Sequence, residues 1–132
     1  MRVLFIDDMV GRHVEFINKY GEQFEEIVHA YTYEAALELL KPGAYDMVFM
    51  DHDLSITSAL CDPETTTEKT GSDIAKHVVS SFPPKNSPYF VVHSFNPAGR
   101  ANIVDILDKG SFTVMSLPFD LLCHEGTKIE WS

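Results

Sequence analysis

Carboxylates, imidazoles and hydroxyls follow hydrophobic runs at three places in this chain. Asp7-Asp8 follows Val3-Leu4-Phe5-Ile6, Asp51-His52-Asp53 follows Met47-Val48-Phe49-Met50, and His93-Ser94-Phe95-Asn96 follows Tyr89-Phe90-Val91-Val92. Carboxylates converging from adjacent strand ends form a hard-oxygen site suited to Mg²⁺ or Mn²⁺. Without a cation, charges so close repel strongly in a partly dry cleft. Asp7, Asp8 and Asp51 are therefore the expected metal ligands. A single aspartate after a strand ordinarily caps the next turn, and it is the clustering, with Asp53 alongside, that favours a metal.

His52 lies between two aspartates, which push an imidazole toward its protonated form and suit it to proton transfer or to orienting a phosphate. Strand alternation turns Asp51 and His52 opposite ways, so that one faces the site and the other packs against a helix. The plainer alternative is a histidine that only hydrogen-bonds its loop. His93 has a similar alternative, a core histidine satisfied by a carbonyl. Ser94, the Asn96 amide and Arg100, at the start of a helix, are the expected phosphate contacts, because free N–H groups at a helix N-terminus attract anions. His13, His29, His77 and His124 carry no such context, and surface positions are expected for them.

The elements that must position these residues are legible as apolar runs and helical periods. Strands are expected at Arg2–Ile6, Ile27–Tyr31, Tyr45–Met50, Tyr89–His93 and Phe112–Leu117. Between them, Val10, Val14, Ile17 and Tyr20 recur at helical spacing before Gly21. Thr32 is placed to cap a helix with Ala36, Leu37 and Leu40 on its apolar face, stopped by Pro42-Gly43. Gly71-Ser72-Asp73 opens a helix carrying Ile74, Val78 and Phe82, ended by Pro83-Pro84. Asn96, followed by Pro97, caps a helix that buries Ile103, Ile106 and Leu107 and ends near Gly110. The stretch from Ser55 to Lys69 is polar and aperiodic, and so long a gap in a small α/β domain reads as a disordered segment or a lid. No sustained period follows the fifth strand, so a long last helix is not expected.

Strands alternating with helices imply a parallel sheet covered on both faces. At 132 residues the expectation is a single α/β domain with the flavodoxin-like strand order 2-1-3-4-5 and a truncated last helix. In such sheets ligands bind beyond the carboxyl ends of the strands, where the acidic and imidazole residues fall. The formal charge of −10 is spread without a basic stripe, so long nucleic acid is not an expected partner. A small phosphorylated ligand is compatible, since a bound cation reverses the local field. No apolar run approaches spanning length, and the first residues lack a signal peptide's basic start. Cys61 and Cys123 have neither metal nor redox spacing, which points to free thiols in a cytoplasmic protein.

The acidic pair Asp7-Asp8, the run Tyr45–Asp51, Gly71 and Ser94 resemble the receiver domains of two-component response regulators over nearly the whole chain. That resemblance implies Asp51 as phosphoacceptor and Asp7 and Asp8 as Mg²⁺ ligands. The chain departs from it at Ser116-Leu117-Pro118, where Leu117 stands in place of a phosphate-gripping lysine, in the longer segment between Asp51 and Gly71, and in the stunted last helix. Asp51-His52-Asp53-Leu54, Thr70-Gly71 and His93-Ser94-Phe95-Asn96-Pro97-Ala98-Gly99 are similar to a narrower family, the cyclic-phosphate-processing receiver domains. The resemblance also implies Gly99 and Arg12 as phosphate-site residues, with Arg12 as the arginine that follows the acidic pair.

The expected activity is metal-dependent hydrolysis of a cyclic phosphate, either a cyclic nucleotide signal or an RNA 2′,3′-cyclic end. In that reading Asp51, His52, Asp53 and His93 carry the catalysis, with proton transfer open among His52, Asp53 and His93. The alternatives are an atypical receiver phosphorylated at Asp51 and a binder that holds a cyclic nucleotide without cleaving it.

Overall fold

A computed structural model describes residues 1–54, 70–83, 85 and 87–123. The expected lid from 55 to 69, together with Cys61, Pro84 and His124, lies outside the described residues.

Five strands are present: β1 (Arg2–Ile6), β2 (Glu26–Ala30), β3 (Met47–Met50), β4 (Tyr89–Val92) and β5 (Val114–Ser116). They alternate with α1 (Val10–Tyr20), α2 (Tyr33–Leu39), α3 (Gly71–Ser81), α4 (Pro97–Lys109) and the short α5 (Phe119–Leu122). All pairings are parallel and the order is β2-β1-β3-β4-β5, the flavodoxin-like order expected from the sequence. Several strands end a residue or more inside their expected limits. Tyr45 and Asp46, for example, precede β3, although Asp46 still exchanges backbone hydrogen bonds with Arg2 and Tyr89.

Alternation along the strands sorts the core into two layers. Leu4, Ile6, Val48, Met50, Phe90 and Val92 face α2, α3 and α4. Val3, Phe5, Met47, Phe49 and Val91 face α1 and α5. Both sets are almost wholly buried, as central parallel strands require.

The caps follow the sequence closely. The Thr32 hydroxyl accepts from Ala35 N–H, and the Asn96 side chain accepts from Gly99 N–H with Pro97 in the first turn. At α3 the cap is Thr70, in a reciprocal box with Asp73.

The expected inner face of α1 is a correction. Val10, Val14 and Ile17 are exposed, and His13 and Phe16 point inward together with Tyr20, the one member of the expected set that is buried. Phe16 stacks on Phe5 at 4.4 Å and meets Phe49 edge-on at 4.7 Å. Large aromatic side chains bury more area than valines, so the helix rotates to put them inside.

Strand register decides the site. Ile6, Met50 and Val92 lie side by side, and the ladder runs on for one more residue. Asp51 N–H donates to Ile6 O and His93 N–H to Met50 O, both at 3.0 Å, while Asp7 N–H donates to Ala30 O at 3.1 Å. Asp7, Asp51 and His93 therefore stand level at the carboxyl edge, on the same face as Phe5, Phe49 and Val91.

Candidate functional site

The register brings the expected carboxylates together. Asp7, Asp8 and Asp51 each offer an oxygen within 4.8 Å of the others. Asp7 and Asp51 are buried, and Asp8 is half-buried at the rim. Met9 N–H donates to Asp7 Oδ1 at 2.8 Å, and His52 N–H to Asp51 Oδ1 at 2.9 Å. The Ser94 hydroxyl accepts from Asn96 N–H at 3.1 Å and eases the Asp51 carboxylate slightly. All-oxygen donors of this kind suit Mg²⁺ or Mn²⁺, so the residues present fit such an ion.

Arg12 reaches into the same cluster. Its Nη1 lies 3.2 Å from Asp7 Oδ2 and 3.3 Å from Asp51 Oδ2. The guanidinium is backed by the faces of Phe95 and Phe119, at 4.8 and 5.7 Å from the ring centroids. A residue expected against phosphate thus sits on the carboxylates.

The two central carboxyls differ in charge balance. Burial pushes the Asp7 carboxyl up, but the His93 hydrogen bond and charge, the Met9 N–H and Arg12 outweigh it and hold Asp7 below the ordinary value. For Asp51 burial wins: its carboxyl is raised, with the Asp7 charge adding to the effect against His93, Arg12 and Ser94. The pair therefore holds one secure anion and one reluctant one.

His93 is fully buried. Its Nε2–H donates to Asp7 Oδ2 at 2.9 Å, and its ring stacks on Phe5 at 4.8 Å. Nδ1 has no hydrogen-bond partner among the described residues. This position, behind Asp7, suits a residue that fixes the carboxylate's orientation.

His52 turns the other way from Asp51, as alternation requires, and packs on α4. A Cβ on Gly99 would come within 2.3 Å of its ring, so Gly99 is the residue that lets the imidazole lie against the helix. His52 Nδ1–H donates to Asp53 Oδ1 at 2.9 Å, and Asn96 Nδ2 reaches the same oxygen at 3.4 Å. Asp53 is exposed, while His52 is mostly covered. Arg100 Nη1 donates to Ser94 O at 2.6 Å. The start of α4 is partly spent as an anion site: Pro97 has no N–H, and Gly99 N–H is taken by Asn96 Oδ1. Gly71 N–H binds His52 O at 2.7 Å, and a Cβ at Gly71 would strike Asp51 O at 2.2 Å.

One pair of histidines is a second correction. His13 is buried, not at the surface, and His29 is half-buried. His13 Nε2–H donates to Asp7 O at 2.8 Å, which leaves its Nδ1 to accept from His29 Nδ1–H at 2.7 Å. Tyr31 stacks on His13 at 4.0 Å. The signal available in the sequence was the spacing of His13, Phe16 and Tyr20, one helical face whose first member is not apolar. Both imidazoles lie below their ordinary value of 6.5, chiefly through burial. The unfolded chain then takes up protons near that pH when the folded chain does not. Stability is complete above about pH 6.5 and falls below it. A thermal-melt series from about pH 8 to about pH 5 should show this fall, with a flatter profile in the His13→Phe/His29→Phe double variant.

The profile of a family described as the cyclic-phosphate processing receiver domain matches residues 2–109. The chain belongs to this family. No curated protein matches it. Solved structures of response-regulator receivers resemble this receiver in fold. The receiver domain of HemR from Leptospira biflexa is 16% identical with a TM-score of 0.61, over 98% of both chains. TrrA from Thermotoga maritima, solved in complex with Mg²⁺-BeF, is 21% identical with a TM-score of 0.59, over 92% of this chain and 91% of that one. NtrX from Brucella abortus is 18% identical with a TM-score of 0.61, and this receiver, covered over 89%, spans 23% of that chain. Among the described residues, no helix is long and apolar enough to cross a membrane.

Proposed function

We propose that this receiver is a metal-dependent phosphoesterase that opens a cyclic phosphate, either a cyclic nucleotide or an RNA 2′,3′-cyclic end. The observation that carries the reading is the hydrogen-bonded trio His52–Asp53–Asn96, which begins one residue after Asp51 of the three-carboxylate cluster. A carboxylate that accepts from Nδ1–H fixes the imidazole tautomer and leaves Nε2 as a base, the arrangement hydrolases use to activate a nucleophile.

A divalent cation held by Asp7, Asp8 and Asp51 would supply charge to the phosphoryl oxygens and polarise the phosphorus. His52 Nε2 takes a proton from water, the water oxygen forms a bond to phosphorus, and the ring P–O bond breaks, its oxygen taking a proton from solvent, to which His52 returns the one it took. The product is an open phosphate monoester. Asp53 and Asn96 hold the imidazole, and His93 holds Asp7 from behind. Arg12, Ser94 and Arg100 are the chain's own groups that would meet the phosphate.

The test is a panel of cyclic mononucleotides, cyclic dinucleotides and a 2′,3′-cyclic-ended oligonucleotide, incubated with Mg²⁺, Mn²⁺ or EDTA and resolved by chromatography. At least one member should be opened in the metal arms and spared in EDTA. His52→Ala should slow that opening by about 10²–10⁴-fold. Recovery of every compound intact overturns hydrolysis, and retention of one by equilibrium dialysis then identifies a binder.

The hydroxyl of Ser94, at the next strand end beside Asp51, favours a second reading, a receiver phosphorylated at Asp51. Acetyl phosphate with Mg²⁺, followed by intact mass, separates the two: a stoichiometric adduct lost in Asp51→Asn supports this reading.

A further inference from the structure

Arg12 places one nitrogen against two of the three carboxylates that the proposed function gives to a divalent cation. Nη1 is 3.2 and 3.5 Å from the two oxygens of Asp7 and 3.3 Å from Asp51 Oδ2. Charge-assisted N–H···O bonds are tightest at about 2.7–2.9 Å, so all three contacts are loose. The guanidinium has a second support that does not involve carboxylates, the rings of Phe95 and Phe119. Phe95 is half exposed and stands on the open side of the site. Arg12 itself is 18% exposed, enough for its planar head to turn along that ring without unpacking the core.

We propose that Arg12 is a resident counter-cation that contests the divalent ion for the oxygens of Asp7 and Asp51, so that metal entry releases the guanidinium along Phe95 toward the incoming phosphate. The inference rests on the metal-dependent reading of the site and assigns it a regulating residue. Two effects of equal sign follow from the geometry. The ion must displace a positive group from its ligands, and it must enter a field already reduced by that group. Once displaced, an arginine fork fits phosphate oxygens better than a point charge would.

The test measures Mn²⁺ uptake directly, from the electron paramagnetic resonance signal of the free ion, with no substrate present. In Arg12→Ala the dissociation constant should fall by about tenfold or more. Phe95→Leu removes the ring along which the displaced guanidinium turns, and should weaken Mn²⁺ binding. Arg100→Ala removes the same charge from a side chain bonded to Ser94 O instead of the carboxylates, and should change the constant little. Unchanged or weaker binding in Arg12→Ala, or tighter binding in Phe95→Leu, overturns the contest. So does equal tightening in Arg12→Ala and Arg100→Ala, since that reduces the effect to net charge. If none of the four proteins takes up Mn²⁺, the metal reading itself fails, an outcome distinct from the others.

Discussion

Asp51→Asn should abolish hydrolysis and at the same time make the protein harder to melt at neutral pH. The carboxyl is 2% exposed, and burial is the main reason that its proton affinity is raised. An acid whose folded value is raised binds its proton more readily in the folded state. Stability is therefore gained as pH falls through that value and is missing at neutral pH, where the buried group must stay ionised. Asparagine keeps the shape and the acceptor for His52 N–H while removing the charge. Arg12 keeps its contact with Asp7 and can turn its head to solvent. The expected melt is a few degrees above wild type without metal. Added Mg²⁺ should then reverse the order, because an ion that binds only the folded wild type raises its melting point and leaves the variant unmoved. Loss of a charge at the centre of the site should cost at least about 10³-fold in turnover. An asparagine variant less stable than wild type without metal would mean that Arg12 and Ser94 fully compensate Asp51. Residual Mg²⁺-dependent turnover would remove Asp51 from the centre.

The opposed demands on Asp51 also explain what could be read from sequence. Fold and strand order were legible because β1, β3 and β4 are unbroken apolar runs, and their ends fix where Asp7, Asp51 and His93 stand. Which neighbours each side chain would choose was not. His93 and His52 look alike as imidazoles next to strand ends, yet register puts one behind Asp7 against Phe5 and the other on the rim against Gly99. The face of α1 was misjudged for a related reason. Val10, Val14 and Ile17 fit a helical face as well as the buried set does, and only the bulk of Phe16, matched to Phe5 and Phe49 on other strands, decides between the two. That choice also carries His13 inward and leaves its neighbour Arg12 at the edge, beside the carboxylates. Gly99 stood out only by resemblance, and Gly71 beyond that only as part of a helix opening. Their physical reason is close approach: Gly71 meets backbone 51–52 at the start of α3, and Gly99 meets the His52 ring at the start of α4.

That close approach makes Gly99→Ala the sharpest probe of His52. The added methyl would lie 2.3 Å from Cγ and 2.5 Å from Nδ1, against the rigid root of the ring and not a flexible tip. The backbone has nowhere to retreat, because Gly71 closes on His52 Cα and Asp51 O from the other side. The ring must therefore rotate away from α4, breaking its bond to Asp53. The fold should survive, since alanine in place of glycine in a helix contributes up to about 1 kcal/mol that offsets part of the strain. Asp7, Asp8 and Asp51 do not touch Gly99, so Mn²⁺ affinity should stay at the wild-type value. Turnover should fall by about 10²–10⁴-fold, the usual worth of a positioned general base. Full activity in Gly99→Ala, with His52 shown by its ring resonances to have moved, would strip His52 of the base role and return it to Asp53.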